Sequence, residues 1–158
     1  MQTHCDEHYM RLALGACRAG LDAGQTPFGA CIVKDGAVLA VSHNQVWAGT
    51  DPSAHAEVVA VREACARTGD VHLEGATIYA TTEPCPMCFA CIHWARIGRI
   101  VFAARVSDAA DFGFNELPIT NSQMKKLGRA RVELTPDLLR ENALELYRDW
   151  QTRGGRTY

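Results

Sequence analysis

Two cysteines in the stretch Thr81–Cys91, TTEPCPMCFAC, are the residues of this chain whose spacing first suggests chemistry. Cys85 and Cys88 lie three positions apart, and a proline stands close before each of them. A redox pair, an iron–sulfur site, a structural zinc site and a catalytic zinc site can all use such a spacing. The choice depends on which other side chains can reach the two thiols.

A histidine about thirty positions before the cysteines completes a candidate metal site. We interpret His55, Cys85 and Cys88 as three ligands of one zinc ion, because imidazole and thiolate are ligands that zinc prefers. Two cysteines one helical turn apart share a face of the helix. Thiolates at a helix N-terminus are also stabilised by the unpaired N–H groups and by the helix dipole.

Three protein ligands would leave the fourth tetrahedral position of the zinc open to a water molecule, whose pKa the ion lowers to roughly 7. Glu57 is the residue expected to take a proton from that water. Residues two apart on a helix point roughly 200° apart, so His55 and Glu57 can converge only ahead of a helix N-terminus. Cys91 and His93 are alternative fourth ligands, and either would turn the site into a closed structural one.

The hydrophobic periodicity predicts the elements that must position these residues, in the order αββαβαβ–βα. A helix over 6–23 ends at Gly24, and two continuously apolar strands, predicted to be covered on both faces, flank the hairpin turn Asp35-Gly36. The next helix is predicted to begin at Asp51-Pro52, with Asp51 as N-cap, and to end at Gly69.

The remaining chain is predicted to alternate strands and helices as well. The segments are the strands ATIYATT, RIVFAAR and ARVELT, the helices PCPMCFACIHWARI, NSQMKKL and 135–153, and a loop over 107–117 that has room for a helical turn. Strands separated by helices imply a mostly parallel sheet with helices on both faces.

The composition indicates one globular domain over residues 1–158, with 47% hydrophobic and 22% charged residues. A net charge of -2 gives no global field that would attract nucleic acid or an anionic membrane. Seven cysteines, an odd number, and the lack of a signal-peptide pattern favour a reducing cytoplasmic location. No apolar run approaches the length of a membrane span.

The metal motif resembles a known signature. His55-Ala56-Glu57 followed by Pro84-Cys85-Pro86-Met87-Cys88 is similar to the H-x-E…P-C-x-x-C signature of zinc deaminases. Between about Leu12 and Asp108 the chain resembles the cytidine deaminase-like superfamily, in the branch of short bacterial guanine deaminases, tRNA adenosine deaminases and yeast-type cytosine deaminases, most of all the guanine deaminases. The further matching segments are Pro27-Phe28-Gly29-Ala30, Asn44, Asp51–Ala54, Glu83 and Trp94-Ala95-Arg96.

The resemblance implies a three-layer α/β/α fold with a five-stranded mixed sheet, and a homodimer. It implies one zinc ion per chain on His55, Cys85 and Cys88, with Glu57 as the proton shuttle. The residues that it implies for substrate binding are Asn44, the backbone N–H of Ala56, Phe28, Trp94, Glu116 and Tyr158. The family segment around Glu116 has two acidic residues, whereas this chain has Asn115-Glu116.

These observations predict a zinc-dependent hydrolytic deaminase of a small aminated base, with guanine, converted to xanthine and ammonia, as the expected substrate. The alternatives are a tRNA adenosine deaminase, a cytosine or nucleoside deaminase, and a non-enzymatic binding module stabilised by zinc. A tRNA enzyme needs a basic groove. We interpret the one basic cluster, Lys125, Lys126, Arg129 and Arg131, as a solvated face, so neither a nucleic-acid partner nor a membrane is expected.

Overall fold

The computed structural model describes the backbone of residues 2–158 and the side chains from Cys5 onward. Twelve elements follow one another along this part of the chain. They are α1 Gln2–Asp22, β1 Gly29–Lys34, β2 Ala37–His43, α2 Val46–Gly49, α3 Ala56–Thr68, β3 Thr77–Thr82, α4 Pro86–Trp94, β4 Arg99–Ala104, α5 Val106–Asp111, α6 Asn121–Gly128, β5 Glu133–Thr135 and α7 Arg140–Thr152.

The strands form one five-stranded mixed sheet in the order β2-β1-β3-β4-β5. β1 pairs antiparallel with β2 and with β3, whereas β3, β4 and β5 run parallel. The five-stranded mixed sheet is thereby confirmed, and the sheet is less parallel than the element order predicted, because two of its four strand pairs are antiparallel. Because β2 returns through the tight turn at Asp35-Gly36, it must run antiparallel to β1.

Helices cover both faces of the sheet. Alternate residues of β1 point to opposite faces, so Cys31 and Val33 pack with α1 and α7, while Ala30 and Ile32 pack with α3 and α4. The backbone at the start of β1 packs directly against the backbone of α1. A Cβ atom on Gly29 would overlap the carbonyl oxygen of Ala13. Among residues 2–158, no helix is both long and apolar enough to cross a membrane.

The start of α3 differs from the prediction. Asp51 Oδ1 accepts hydrogen bonds from the backbone N–H of Ser53, at 2.8 Å, and from its hydroxyl, at 2.7 Å. These bonds close a turn before the helix, so the Asp51 side chain is not the N-cap of α3. α3 begins at Ala56 instead, with His55 as its N-cap.

Four other boundaries also differ. α1 begins four residues earlier than expected, and α4 ends at Trp94 rather than near Gly98. The predicted loop over 107–117 contains α5, and β5 is shorter than the ARVELT strand. β2 is an edge strand with exposed positions, so the prediction that both hairpin strands are covered on both faces is wrong for β2.

The last helix begins at Arg140, not at Thr135-Pro136. The guanidinium of Arg105 pairs with the carboxylate of Asp137, with Nε 2.8 Å from Oδ1, and Leu138 and Leu139 form a turn between Asp137 and the helix. Leu139 then precedes α7 in the left-handed conformation, with φ of 55°.

Candidate zinc centre

The candidate ligands meet where α3 and α4 begin, at the carboxyl end of β3. His55 is the N-cap of α3 and Cys85 is the N-cap of α4, and both have extended backbones, with ψ of 152° and 167°. Neither side chain accepts a hydrogen bond from its own helix. Both are therefore available to point across the gap between the two helix N-termini.

The three side chains present a ligand set of the right size for zinc. His55 Nδ1 lies 3.6 Å from Cys85 Sγ and 3.5 Å from Cys88 Sγ. A Zn–S bond of about 2.3 Å and a Zn–N bond of about 2.0–2.1 Å at a tetrahedral angle place N and S about 3.5 Å apart. The three ligand atoms all lie within 4.8 Å of one another. The residues present fit the ion.

The two thiols share one negative charge. The hydrogen bond from Cys88, together with one from His55, lowers the pKa of Cys85 to about 4 against the opposing effect of burial. The pKa of Cys88 is raised well above its usual value, because Cys88 donates to Cys85, is buried and lies near Glu57. A divalent cation would remove the second proton, since a coordinating thiol is deprotonated.

Glu57 lies beside the thiols, in the first turn of α3, with 7% of its surface exposed. Burial raises the pKa of Glu57 to about 7, the charge of Cys85 adds to this rise, and His55 opposes it. A carboxyl group with such a pKa can both accept and donate a proton near neutral pH. The structure thus brings Glu57 together with His55, Cys85 and Cys88.

Asn44 and Tyr158 meet at one side of this centre. The side-chain amide of Asn44 donates from Nδ2 to the hydroxyl of Tyr158 at 2.8 Å, and its Oδ1 accepts from the N–H of Val46 at 3.0 Å. The Tyr158 ring lies 5.6 Å from the ring of His55 and 6.0 Å from that of Phe114. The end of the chain therefore folds back onto the zinc centre of the same chain.

Glu116 faces the centre from the loop after α5. It lines an outer cavity of about 290 Å³ and a small inner cavity that also contains Glu57 and Phe28. Burial raises the pKa of Glu116 to about 7, and the negative charge of Cys85 contributes. The residues of the outer cavity are Pro52, His55, Cys85, Pro86, Met87, Phe114, Asn115, Glu116, Leu117 and Tyr158.

The remaining candidate residues divide into two groups. Phe28 lines the inner cavity, and the backbone N–H of Ala56 lies at the first position of α3, where N–H groups point ahead of the helix. Trp94 is the last residue of α4, at the end far from the thiols, and it is 78% exposed. Within the described residues neither cavity at the zinc centre includes Trp94, so its expected role as a wall is not supported.

In the part of the chain that the structure describes, no fourth side chain that could bind zinc lies at the centre. Among the described residues, the group that could hold a metal consists of His55, Cys85 and Cys88 alone. Cys91 packs against the core beneath α4, and burial raises the pKa of its thiol. His93 lines a different cavity at the far end of α4.

Two buried residues that support the centre were missed at the sequence level. Glu83 accepts hydrogen bonds from the N–H of Asn121 at 2.8 Å and of Val106 at 3.2 Å, which are the first residues of α6 and α5. Asn121 donates from Nδ2 to the carbonyl oxygen of Pro84 at 2.6 Å. The backbone just before Cys85 is thus held by two helix N-termini. No local pattern pairs residues this far apart.

Comparison with known proteins places this geometry in a family. The family described as "Cytidine and deoxycytidylate deaminase zinc-binding region" matches residues 3–104. The guanine deaminase of Bacillus subtilis is 44% identical over 111 residues, which are 70% of this chain and 71% of that protein. The tRNA-specific adenosine deaminase of Aquifex aeolicus is 40% identical over 98 residues, 62% of this chain and 65% of that protein.

A solved structure in complex with 2,6-diaminopurine has a TM-score of 0.88 at 31% identity, over 97% of this chain and 85% of that chain. The family match covers well over half of the sequence, and it includes all three residues of the ligand set. This chain therefore belongs to the zinc-dependent cytidine and deoxycytidylate deaminase family, with His55, Cys85 and Cys88 placed to hold the metal.

Proposed function

We propose that this protein hydrolytically deaminates a free aminated nucleobase, with guanine as its substrate, and releases ammonia. The observation that carries the proposal is the enclosure of the zinc centre by Glu116 and Tyr158. The outer cavity of about 290 Å³ is near the lower limit of roughly 300–1,000 Å³ for ligand pockets. This volume suits a single heterocycle better than a nucleotide within a folded RNA.

The chemistry of the lining also favours a base of the guanine type. Guanine presents a ring N–H and an exocyclic amine side by side, and a carboxylate accepts two such parallel hydrogen bonds well. Glu116 is the acidic residue of the loop that faces the centre, and Asn44 keeps a second N–H for the base beyond the one donated to Tyr158. Apolar side chains such as Phe114 and Leu117 supply walls for the ring.

Glu57 is the proposed proton carrier. When bound, zinc supplies a water molecule of lowered pKa as the attacking group. The Glu57 carboxylate accepts the proton that the water loses and passes it to the ring nitrogen beside the attacked carbon. Glu57 then carries the proton of the hydroxyl group added to that carbon to the exocyclic nitrogen, so that the C–N bond breaks, a carbonyl forms and ammonia leaves. The backbone N–H of Ala56 is placed to hold a polar atom of the ring ahead of α3.

Deamination of adenosine in tRNA is the second candidate, and the similarity to the Aquifex aeolicus enzyme favours it. Two arginines of the basic cluster that such a function could use line a cavity away from the zinc centre. Arg129 and Arg131 line a separate cavity with His93 at the far end of α4, and no lysine or arginine of the described chain lines the two cavities at the zinc centre.

Ammonia release from a substrate panel tests the proposal. Zinc-loaded protein is incubated with guanine, cytosine, guanosine, adenosine and a tRNA anticodon stem-loop, and ammonia is measured in a coupled assay. We expect release from guanine alone. Activity on the stem-loop or on nucleosides but not on bases would overturn the proposal, and no release from any substrate would favour a non-enzymatic zinc module.

The Glu57→Ala variant tests the proton carrier separately. It should bind zinc stoichiometrically and lose turnover by about two to four powers of ten, as expected for loss of a general acid–base group. Near-normal turnover in this variant would contradict the role assigned to Glu57.

A further inference from the structure

The last five residues form a strap over the zinc centre, and two glycines set its path. α7 ends at Thr152, and Gly154 turns the chain with φ of 70°. Gly155 then passes against the indole of Trp150 so closely that a Cβ atom there would overlap the ring nitrogen. Only glycine fits at position 155. This close contact with Trp150 defines where the strap, residues 154–158, leaves α7.

A cation–π contact fixes the middle of the strap. The guanidinium carbon of Arg156 lies 3.6 Å from the centroid of the Trp47 ring. Trp47 is half-buried in α2, and its Nε1 is buried without a hydrogen-bond partner in the described structure. The ring of Trp47 also lies 6.2 Å from that of Tyr158.

The two attachment points of the strap lie on one short segment. Tyr158 bonds to Asn44, and Arg156 contacts Trp47, three residues farther along. Tyr158 is held by this hydrogen bond and by ring contacts with His55, Phe114 and Trp47, and the Arg156 contact adds a second anchor for the strap two residues away. Loss of that anchor should raise the fraction of molecules in which the Tyr158 ring has left its place beside His55.

We propose that Arg156 and Trp47 form a clasp that holds the strap closed, and that Arg156 is a positioning residue acting through Tyr158. The effect on catalysis rests on the proposed function, because it concerns how the base is retained. Tyr158 lines the outer cavity, so opening the strap removes one wall of the substrate site. The clasp itself is a property of the chain and can be measured without any substrate.

Release of Tyr158 by a carboxypeptidase, followed by mass spectrometry, reports how often the strap opens. When opening is fast relative to cleavage, the release rate follows the open population. The Arg156→Gln variant keeps a planar polar group but shortens the side chain and removes its charge. We expect release about 2- to 5-fold faster than from the unmodified protein, the range that corresponds to an exposed cation–π contact.

Three matched variants make the comparison specific. Arg156→Lys keeps the cation but loses the planar guanidinium, and should release Tyr158 at a rate between those of the unmodified protein and Arg156→Gln. Arg148→Gln removes an exposed arginine of α7 that pairs with Glu141, and should leave the rate unchanged. Trp47→Leu should accelerate release, and adding Arg156→Gln to it should give no further increase. Synthetic peptides of residues 154–158 with Arg or Gln correct for the preference of the carboxypeptidase.

Steady-state kinetics with guanine supply the second readout. In Arg156→Gln the KM should rise, by no more than the factor measured for tail release, while kcat stays unchanged, because the strap retains the base and does not move protons. The clasp would be refuted if Tyr158 were released equally fast from Arg156→Gln and from the unmodified protein. It would also be refuted if the effects of the two substitutions were additive in the double variant. If the unmodified protein releases no ammonia from guanine, the proposed function fails. The rates at which the carboxypeptidase releases Tyr158 still test the clasp.

Discussion

Replacing Glu83 with glutamine should weaken zinc binding, although Glu83 is not a zinc ligand. The carboxylate accepts the first N–H groups of both α5 and α6, at 3.2 and 2.8 Å, two residues before Cys85. In Glu83→Gln one acceptor oxygen becomes an NH₂ group that faces a backbone donor. One charge-assisted hydrogen bond is lost and one buried N–H is left unpaired.

The magnitude follows from these contacts. Loss of a hydrogen bond to a charged group costs about 1.5–3 kcal/mol. Residues that hold metal ligands in place typically change metal affinity about 10- to 100-fold, which is about 1.4–2.7 kcal/mol. The two ranges agree, so we expect zinc binding weaker by one to two powers of ten. Asn121→Ala, which removes the bond to Pro84, should act in the same direction.

Competition with a chromophoric chelator measures the zinc dissociation constant, and urea unfolding measures stability. Thr120→Ala is the matched control, because Thr120 caps the same helix, α6, by accepting from the N–H of Gln123 and makes no hydrogen bond to Glu83, Pro84 or Cys85 in the described structure. It should cost about 1 kcal/mol of stability and leave zinc affinity unchanged. Unchanged zinc affinity in Glu83→Gln, or an equal loss in Thr120→Ala, would refute the reasoning.

Three further predictions concern stability and the metal. Asp6 accepts from Arg99 at 2.8 and 2.9 Å, and these bonds lower its pKa, so its contribution is present above about pH 4 and is lost as the pH falls through the lowered value. Asp6→Asn should therefore lower the free energy of unfolding by about 2 kcal/mol at pH 7 and by less in acid; an undiminished difference at pH 3 would contradict this. Gly29→Ala should destabilise by about 1–3 kcal/mol in thermal unfolding, since its Cβ overlaps Ala13, and a neutral effect would show that α1 can shift. Chelation should abolish ammonia release and lower the melting temperature, with zinc and not magnesium restoring both; full activity in chelator would exclude a metal role.

The zinc centre was predictable from the sequence, whereas the start of the helix that carries His55 was predicted too early in the chain. Both outcomes depend on what the side chains at N-cap positions bind. Capping rules assume that an N-cap side chain bonds its own helix. His55 and Cys85 occupy N-cap positions without doing so, because their side chains point to each other. The stronger local signal, Asp51, closes a turn instead. Convergence of His55 and Glu57 ahead of α3 was still expected correctly, since it needs only an early position in the helix.

Features set by distant partners were outside the reach of local patterns. α5 is held by the bond from the Arg105 N–H to Asp108, and Asp108 in turn pairs with Arg140 of α7. The sequence around Tyr158 contains no sign that its hydroxyl meets Asn44, 114 residues away. Only the resemblance to guanine deaminases indicated a role for this residue, and the same resemblance suggested Trp94, which lies on the surface.

The placement of the ligands on two N-caps has a consequence for how the protein opens. The ion would join the first turns of α3 and α4, whose N-caps are thirty residues apart in the sequence. Fraying of either first turn would then break a metal–ligand bond, so the backbone N–H groups of Val59 and Phe89, which bond to the carbonyl oxygens of His55 and Cys85, should exchange with deuterium together, and only as fast as zinc departs. Holding the ion and keeping both helix ends folded would be a single cooperative event.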